Sequence, residues 1–199
     1  MAHNANLSIK AIEGLGAYAA MARGLGKTDE AARVEALARK MAREWEVRAI
    51  DGDHYKLAFD APGSWSQKYN MVWDQLLGLN LFDPKVKQTE LIFYARKINQ
   101  YGLPLDVRKD YTKLDWEIWT ATLVGTQEQF KLFMTPIAKW INETPSRVPL
   151  TDWYDTKSGK QMQFQARSVV GGVFVKALAD AEAVKEWQAS ANANRDCCH

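Results

Sequence analysis

LDWEIWTATLVGTQEQFKLFMTPIAKWIN, residues 114–142, decides the fold. Its opening run, LDWEIWTATLV, is apolar nearly all round, the pattern of a helix buried on both sides. Gly125 is placed to end that helix in a left-handed conformation, and Thr126-x-x-Gln129 reads as a capping box for the next. The second helix carries its apolar stripe at Phe130, Phe133, Met134, Ile137, Ala138 and Ile141. So short a link makes an antiparallel helical hairpin.

The same layout extends outward in both directions. Periodicity predicts seven helices, near 7–23, 29–46, 66–79, 84–100, 112–124, 127–142 and 165–181, and no alternating strand. Asp83-Pro84 supplies a capping side chain before a proline at the first helical position, and Gly24 and Gly26 break the first pair. Links after the first, third and fifth helices are short. Those after the second, fourth and sixth are long, about 47–65, 101–111 and 143–164, so every long loop falls at one end and feeds the first helix of a hairpin. Helices three, five and seven are apolar nearly all round, whereas helix two shows a solvent face at Arg33, Glu35, Arg39, Lys40 and Arg43. That is an inner and an outer ring. Lys10, Lys68, Lys113 and Arg167 recur early in the odd helices, a repeat of roughly fifty residues. The fold expected is all-α, a partial (α/α) toroid over residues 1–182, with a disordered tail at 183–199; a bundle or open solenoid is the alternative. Seven helices are short of the twelve that close six hairpins, so partners are expected to cover the open edges.

Bulk properties narrow the function. A chain of 199 residues suffices for one domain with a sizeable core. A net charge of +2 gives no cause to expect nucleic acid or anionic lipid as a partner. There is no apolar run of membrane-spanning length and no signal-peptide pattern at MAHNANLSIKAIEG. Cys197 and Cys198 are adjacent in the polar tail, which excludes a disulfide framework and makes a weak metal site; no metal and no cofactor is expected. Serine-nucleophile, phosphate-loop and zinc-protease motifs are absent, and Asp51-Gly52-Asp53 fails the calcium-loop spacing.

Chemistry concentrates in the three long loops. The first offers Asp51, Asp53, His54, Trp65 and Lys68; the second Asp106, Arg108, Asp110, Lys113 and Asp115; the third Arg147, Asp152, Trp153, Tyr154 and Arg167. Carboxylates, cations and aromatics at one mouth suit hydrolysis by an activated water, with cations on a substrate carboxylate or oxyanion. Asp53, Asp110, Asp115 and Asp152 are the candidate catalytic groups. His54, Trp65, Lys68, Arg108, Lys113, Trp153, Tyr154 and Arg167 are the candidate substrate ligands. Structural alternatives stand beside these: Asp115 completing a capping box with Thr112, Asp60 and Asp152 as turn residues, and His54 as a hydrogen-bonding partner.

HNANLSIKAI (3–12), DHYKLAFDAPGSWSQKYNMVWDQLLGLNLF (53–82), YGLPLDVRKDYTKLDWEIWTATL (101–123) and RVPLTDWYDTKSGKQMQFQARSVVGGVFVKAL (147–178) are similar to the central domain of the glutaminase A family, whose fold resembles six-hairpin glycosidases. The resemblance runs from about residue 2 to 180. It implies hydrolysis of the glutamine side-chain amide to glutamate and ammonia, in secreted or periplasmic proteins. It also implies upstream hairpins and a β-rich domain as structural partners, which makes this chain a fragment. The small-molecule substrate is then glutamine; position and chemistry, not the resemblance, put its α-carboxylate on Arg108 or Arg167, its α-ammonium on an aspartate and its water on a carboxylate such as Asp53 or Asp110. The alternatives are a glycoside hydrolase or sugar-binding toroid, with Trp65 and Trp153 stacking on sugar rings, and an inactive fragment.

Overall fold

The computed structural model describes residues 2–196. Helix α1 (Ala5–Gly24) turns back on α2 (Thr28–Ala49); a 3₁₀ turn at Tyr69–Met71 runs into α3 (Val72–Leu76), followed by α4 (Pro84–Ala95). Helix α5 (Leu114–Thr122) leads to α6 (Gln127–Glu143), and a 3₁₀ segment at Ser168–Ala179 leads to α7 (Ala181–Asp196). The helix starts have local causes. Asn4 accepts the Leu7 N–H at 2.8 Å, and Asp83 accepts that of Lys85 at 2.8 Å just ahead of Pro84. Thr126 accepts the Gln129 N–H at 3.2 Å, while the Gln129 side chain accepts from Gly125. Among the described residues no helix is long and apolar enough to cross a membrane.

The inner and outer layers are as the sequence leads one to expect. Helix α1, the Tyr69–Met71 turn, α5 and the Ser168–Ala179 segment touch in succession, with α2 behind α1 and α6 behind α5. The α1–α2 seam is lined by small residues, Ala19, Ala22, Ala31, Ala38 and Ala42, which let the two backbones approach closely. Aromatics fill the space between layers. Trp45 of α2 stacks on Tyr55 at 5.1 Å and meets Phe82 edge-on at 5.6 Å, and Trp140 of α6 stacks on Tyr154 at 3.8 Å.

The long loops are where sequence and structure differ. They hold short strands: β1 (Ile50–Asp51) pairs with β2 (His54–Tyr55), and β3 (Tyr111–Lys113) pairs antiparallel with β4 (Trp153–Asp155). Isolated bridges join Asn4 to Ala58 and Ser66 to Asp106. Backbone pairing therefore sews the start of α1 to the first loop, the first to the second, and the second to the third. The Gln67 side chain reinforces this, donating to Leu103 O at 2.9 Å and Pro104 O at 3.1 Å and accepting from Thr120 Oγ1 at 2.9 Å.

This sewing shortens the helices. The third begins at Tyr69 rather than 66 because Trp65 and Gln67 pair with Val107 and Leu105. The fifth begins at Leu114 rather than 112 because Tyr111–Lys113 belong to β3. Gly125 is not left-handed; the left-handed glycines near helix ends are Gly26 and Gly78. The seventh segment is 3₁₀ over Ser168–Ala179, not an α-helix, and residues 183–196, expected to be disordered, lie within α7. Cys197 and Cys198 lie outside the described residues.

One inner-layer group makes stability depend on pH. Glu13 of α1 is buried, and neither carboxylate oxygen has a hydrogen-bond partner. Burial first, and then the nearby Asp74 charge, push it up from 4.5 to about 9. The folded chain thus holds a proton that the unfolded chain releases, so stability is full below pH 4.5 and is lost as pH rises toward about 9. Glu13→Gln is expected to flatten that decline and to raise alkaline stability by several kcal/mol, since each tenfold change in proton affinity is worth about 1.4 kcal/mol. Urea unfolding across the pH range checks it; parallel curves for both proteins would contradict the assignment.

Candidate active site

The three long loops each end on a cation immediately before an inner segment: Lys68 before the Tyr69–Met71 turn, Lys113 before α5 and Arg167 before the Ser168–Ala179 segment. Lys10, the fourth member of the expected repeat, instead lies exposed within α1. A cation at a helix start opposes the helix dipole, so it needs a carboxylate nearby. Lys68 has buried Glu90 at 3.7 Å. Lys113 and Arg167 share Asp152, with Lys113 Nζ at 3.1 Å and Arg167 Nε at 3.7 Å.

Asp152 is the centre of the constellation. It is 1% exposed, and its neighbour across the mouth is Asp115, in the first turn of α5. Asp115 is not in a capping box with Thr112, which is held in β3; its carboxylate faces the backbone N–H groups of Asp115 and Trp116. Burial pushes Asp115 up to about 6, the Asp152 charge adds to that, and the first-turn N–H groups and Lys113 oppose it. Three buried polar atoms here have no hydrogen-bond partner: Asp115 Oδ1, Asp152 Oδ1 and Trp153 Nε1. Buried polar groups are normally satisfied; Asp152 Oδ1 faces Arg167 Nε at 3.7 Å, which leaves Asp115 Oδ1 and Trp153 Nε1 as an unpaired acceptor and an unpaired donor. The Lys113 ammonium lies 4.4 Å over the Trp153 ring and 5.3 Å over Phe164, and the Arg167 guanidinium lies 4.9 Å over Phe164. Gly172 allows close approach on the other side, where a Cβ would stand 3.0 Å from that of Asp115, and its carbonyl accepts the Trp119 indole N–H at 3.0 Å.

Beside this cluster opens a pocket of about 170 Å³, lined by Asn6, Ser66, Tyr69, Asp106, Arg108 and Trp116 among others. Arg108 grips the buried Asp106 through Nε at 2.8 Å and a terminal nitrogen at 2.6 Å, and that bond holds its guanidinium in place. Tyr69 stacks flat on Trp116, ring centroids 4.4 Å apart and planes 6° from parallel. Burial pushes its hydroxyl up to about 12, with Asp115 and Asp106 adding to the rise and Asn6 opposing it. Tyr69 therefore lines the pocket on its α5 side, with its ring on the residue that follows Asp115.

Of the twelve candidates read from sequence, Asp115, Asp152, Lys113, Trp153 and Arg167 come together, with Arg108 at the adjoining pocket. The others go elsewhere. Asp53 is exposed in the β1–β2 turn, bonded to Arg96 at 2.5 Å and His54 at 3.1 Å, and these bonds hold it below the usual carboxylate range. His54 stacks on Phe93 at 4.4 Å. Asp110 pairs with Lys157 at 2.9 Å beyond the far end of the β3–β4 ladder, three residues or about 10 Å of strand from Lys113. Trp65, Lys68 and Tyr154 are core residues. Trp65 is closed in by Phe93 and Tyr94, Lys68 donates to Tyr55 O and Ser66 O at 2.9 Å each, and Tyr154 donates to Glu117 Oε2 at 2.8 Å. Loop residues that are charged or aromatic suggested exposure, but these loops fold over a core of their own. Tyr69, Asn6 and Trp116 were hidden in sequence because each also fits an apolar or capping pattern. A tyrosine directly after the cation that opens an inner segment is the signal that marks Tyr69.

The comparisons with known proteins agree with this architecture. The family model described as the glutaminase A six helical-hairpin domain matches residues 1–177. The chain is 35% identical over 181 residues to glutaminase A of Aspergillus oryzae, a match covering 87% of this chain and 26% of that protein. It is 34% identical over 206 residues to a protein of Arthroderma benhamiae named probable glutaminase, covering 87% of this chain and 24% of the relative. The chain thus spans about a quarter of the length of these curated relatives.

Proposed function

We propose that this chain, which belongs to the glutaminase A six helical-hairpin family, forms the hydrolytic wall of a glutamine amidohydrolase, with Asp115 as its proton-transfer group. The observation that carries the reading is the pair of buried carboxylates in unlike surroundings: Asp152 clamped by Lys113 and Arg167, and Asp115 raised to about 6. A carboxylate raised that far is a stronger base than an ordinary one and is still ionised at neutral pH. In this reading Asp115 takes a proton from water as the water oxygen adds to the side-chain amide carbon. It returns that proton to nitrogen as the C–N bond breaks, giving glutamate and ammonia. Asp152 orients the two cations and raises Asp115, and Arg108 or Arg167 receives the substrate α-carboxylate. Further helical hairpins and a β-rich domain are the structural partners in this reading. Exposed Leu7 and Met21 on α1 and Phe174 at the other end of the inner series give them apolar surface to cover.

Ammonia release from glutamine, followed as pH is lowered, tests the assignment. The acid limb of kcat/KM is expected near pH 6, because protonated Asp115 cannot accept the water proton. Asp152→Asn removes the charge that raises Asp115 and leaves Lys113 unpaired, so the limb must move to lower pH. A limb that stays in place or moves upward contradicts the proposed division of roles.

A further inference from the structure

We infer that Tyr69 donates the hydrogen bond that stabilises the oxyanion formed on the amide oxygen, a role that rests on the amidohydrolase reading above. When water adds to the amide carbon, the C=O electron pair moves onto oxygen, and a preorganised donor at that point lowers the barrier. Tyr69 meets the requirements by position. It lines the 170 Å³ pocket, and its ring lies flat on Trp116, the residue following Asp115 in α5.

Its support is rigid. Lys68, the preceding residue, is fully buried; its backbone N–H donates to the Tyr94 hydroxyl at 2.8 Å and its ammonium is held by two backbone carbonyls. The next residue, Asn70, is tied to α1 through its side chain, which donates to Asn6 O at 3.1 Å. A side chain fixed on both flanks and stacked on one face loses little freedom when substrate arrives, the condition for a useful oxyanion donor. The proton stays on Tyr69 throughout. It is a hydrogen-bond donor, distinct from Asp115, which transfers its proton.

Tyr69→Phe isolates the hydroxyl, because phenylalanine preserves the stack on Trp116. The expected result with glutamine is a fall in kcat of about 10²-fold, with KM within a few-fold and the thermal midpoint unchanged. The acid limb set by Asp115 is expected to persist. Unchanged kcat, or a raised KM with kcat retained, overturns the inference. Asp115→Asn separates the two claims: if it abolishes ammonia release while Tyr69→Phe leaves kcat unchanged, the oxyanion role falls and the amidohydrolase reading stands. If Asp115→Asn is fully active, the underlying reading falls.

Discussion

Asp115→Asn is expected to lower kcat for ammonia release by about 10²–10⁴-fold, with a much smaller change in KM. Asparagine has nearly the same shape and still accepts the N–H groups at the start of α5, so the helix should form as before. What it lacks is a site that takes and returns a proton. The substitution also removes a buried carboxyl raised to about 6 by its surroundings, which costs folding free energy as pH rises. The variant should therefore be at least as stable as the parent at neutral pH while being nearly inactive. That combination separates a chemical role from a structural one. An active Asp115→Asn, or an inactive one that melts far below the parent, would defeat the assignment.

Gly102→Ala is expected to produce the largest loss of stability, about 3–5 kcal/mol. Gly102 has φ +137°, a conformation that side-chain-bearing residues rarely adopt. The space a methyl group would need is taken: a Cβ would lie 2.7 Å from Glu117 Oε2 and closer still to Oε1. Glu117 cannot easily move aside. It is fully buried, accepts the Leu103 N–H at 2.5 Å and the Tyr154 hydroxyl at 2.8 Å, and is pushed up to about 8 by burial. Displacing it would leave the Leu103 N–H unsatisfied in the interior and take from the Tyr154 hydroxyl the shorter of its two contacts. Gly125→Ala is the control, since Gly125 is not left-handed and a Cβ there meets nothing within 4 Å. Urea unfolding of the two variants decides the matter, and a Gly102→Ala loss below about 1 kcal/mol would refute the argument.

What could be read in advance depended on range along the chain. Helical hairpins were legible because their causes are local: the Phe130–Ile141 stripe, the Asp83-Pro84 start and the alternation of link lengths. The meeting of three loops at one mouth followed from that alternation. The pairing of Tyr111–Lys113 with Trp153–Asp155 was not legible, because neither strand is long enough to show alternation and each partner is about forty residues away. That pairing sorts the candidates. It puts Lys113 beside Trp153 and leaves Asp110 at the far end. Trp65 and Tyr154 mislead for a related reason: an aromatic among charges looks exposed until the loop carrying it closes over a core. The 3₁₀ form of Ser168–Ala179 was equally hidden, since apolar residues spaced for an α-helix serve a tighter one nearly as well.

Placing a cation at the start of each inner segment has a consequence for how the mouth assembles. Such a start is locally frustrated, because the positive end of the helix and the side chain repel. Relief for Lys68 comes from Glu90, in the α4 helix that follows α3, so that hairpin settles its own conflict. Lys113 and Arg167 share their ion-pair carboxylate, Asp152, which comes from the third loop. The third and fourth hairpins, opened by Lys113 and Arg167, are therefore each incomplete until Asp152 arrives. The region that would meet substrate is held by a shared debt between neighbours, and it should form or dissolve as one cooperative unit.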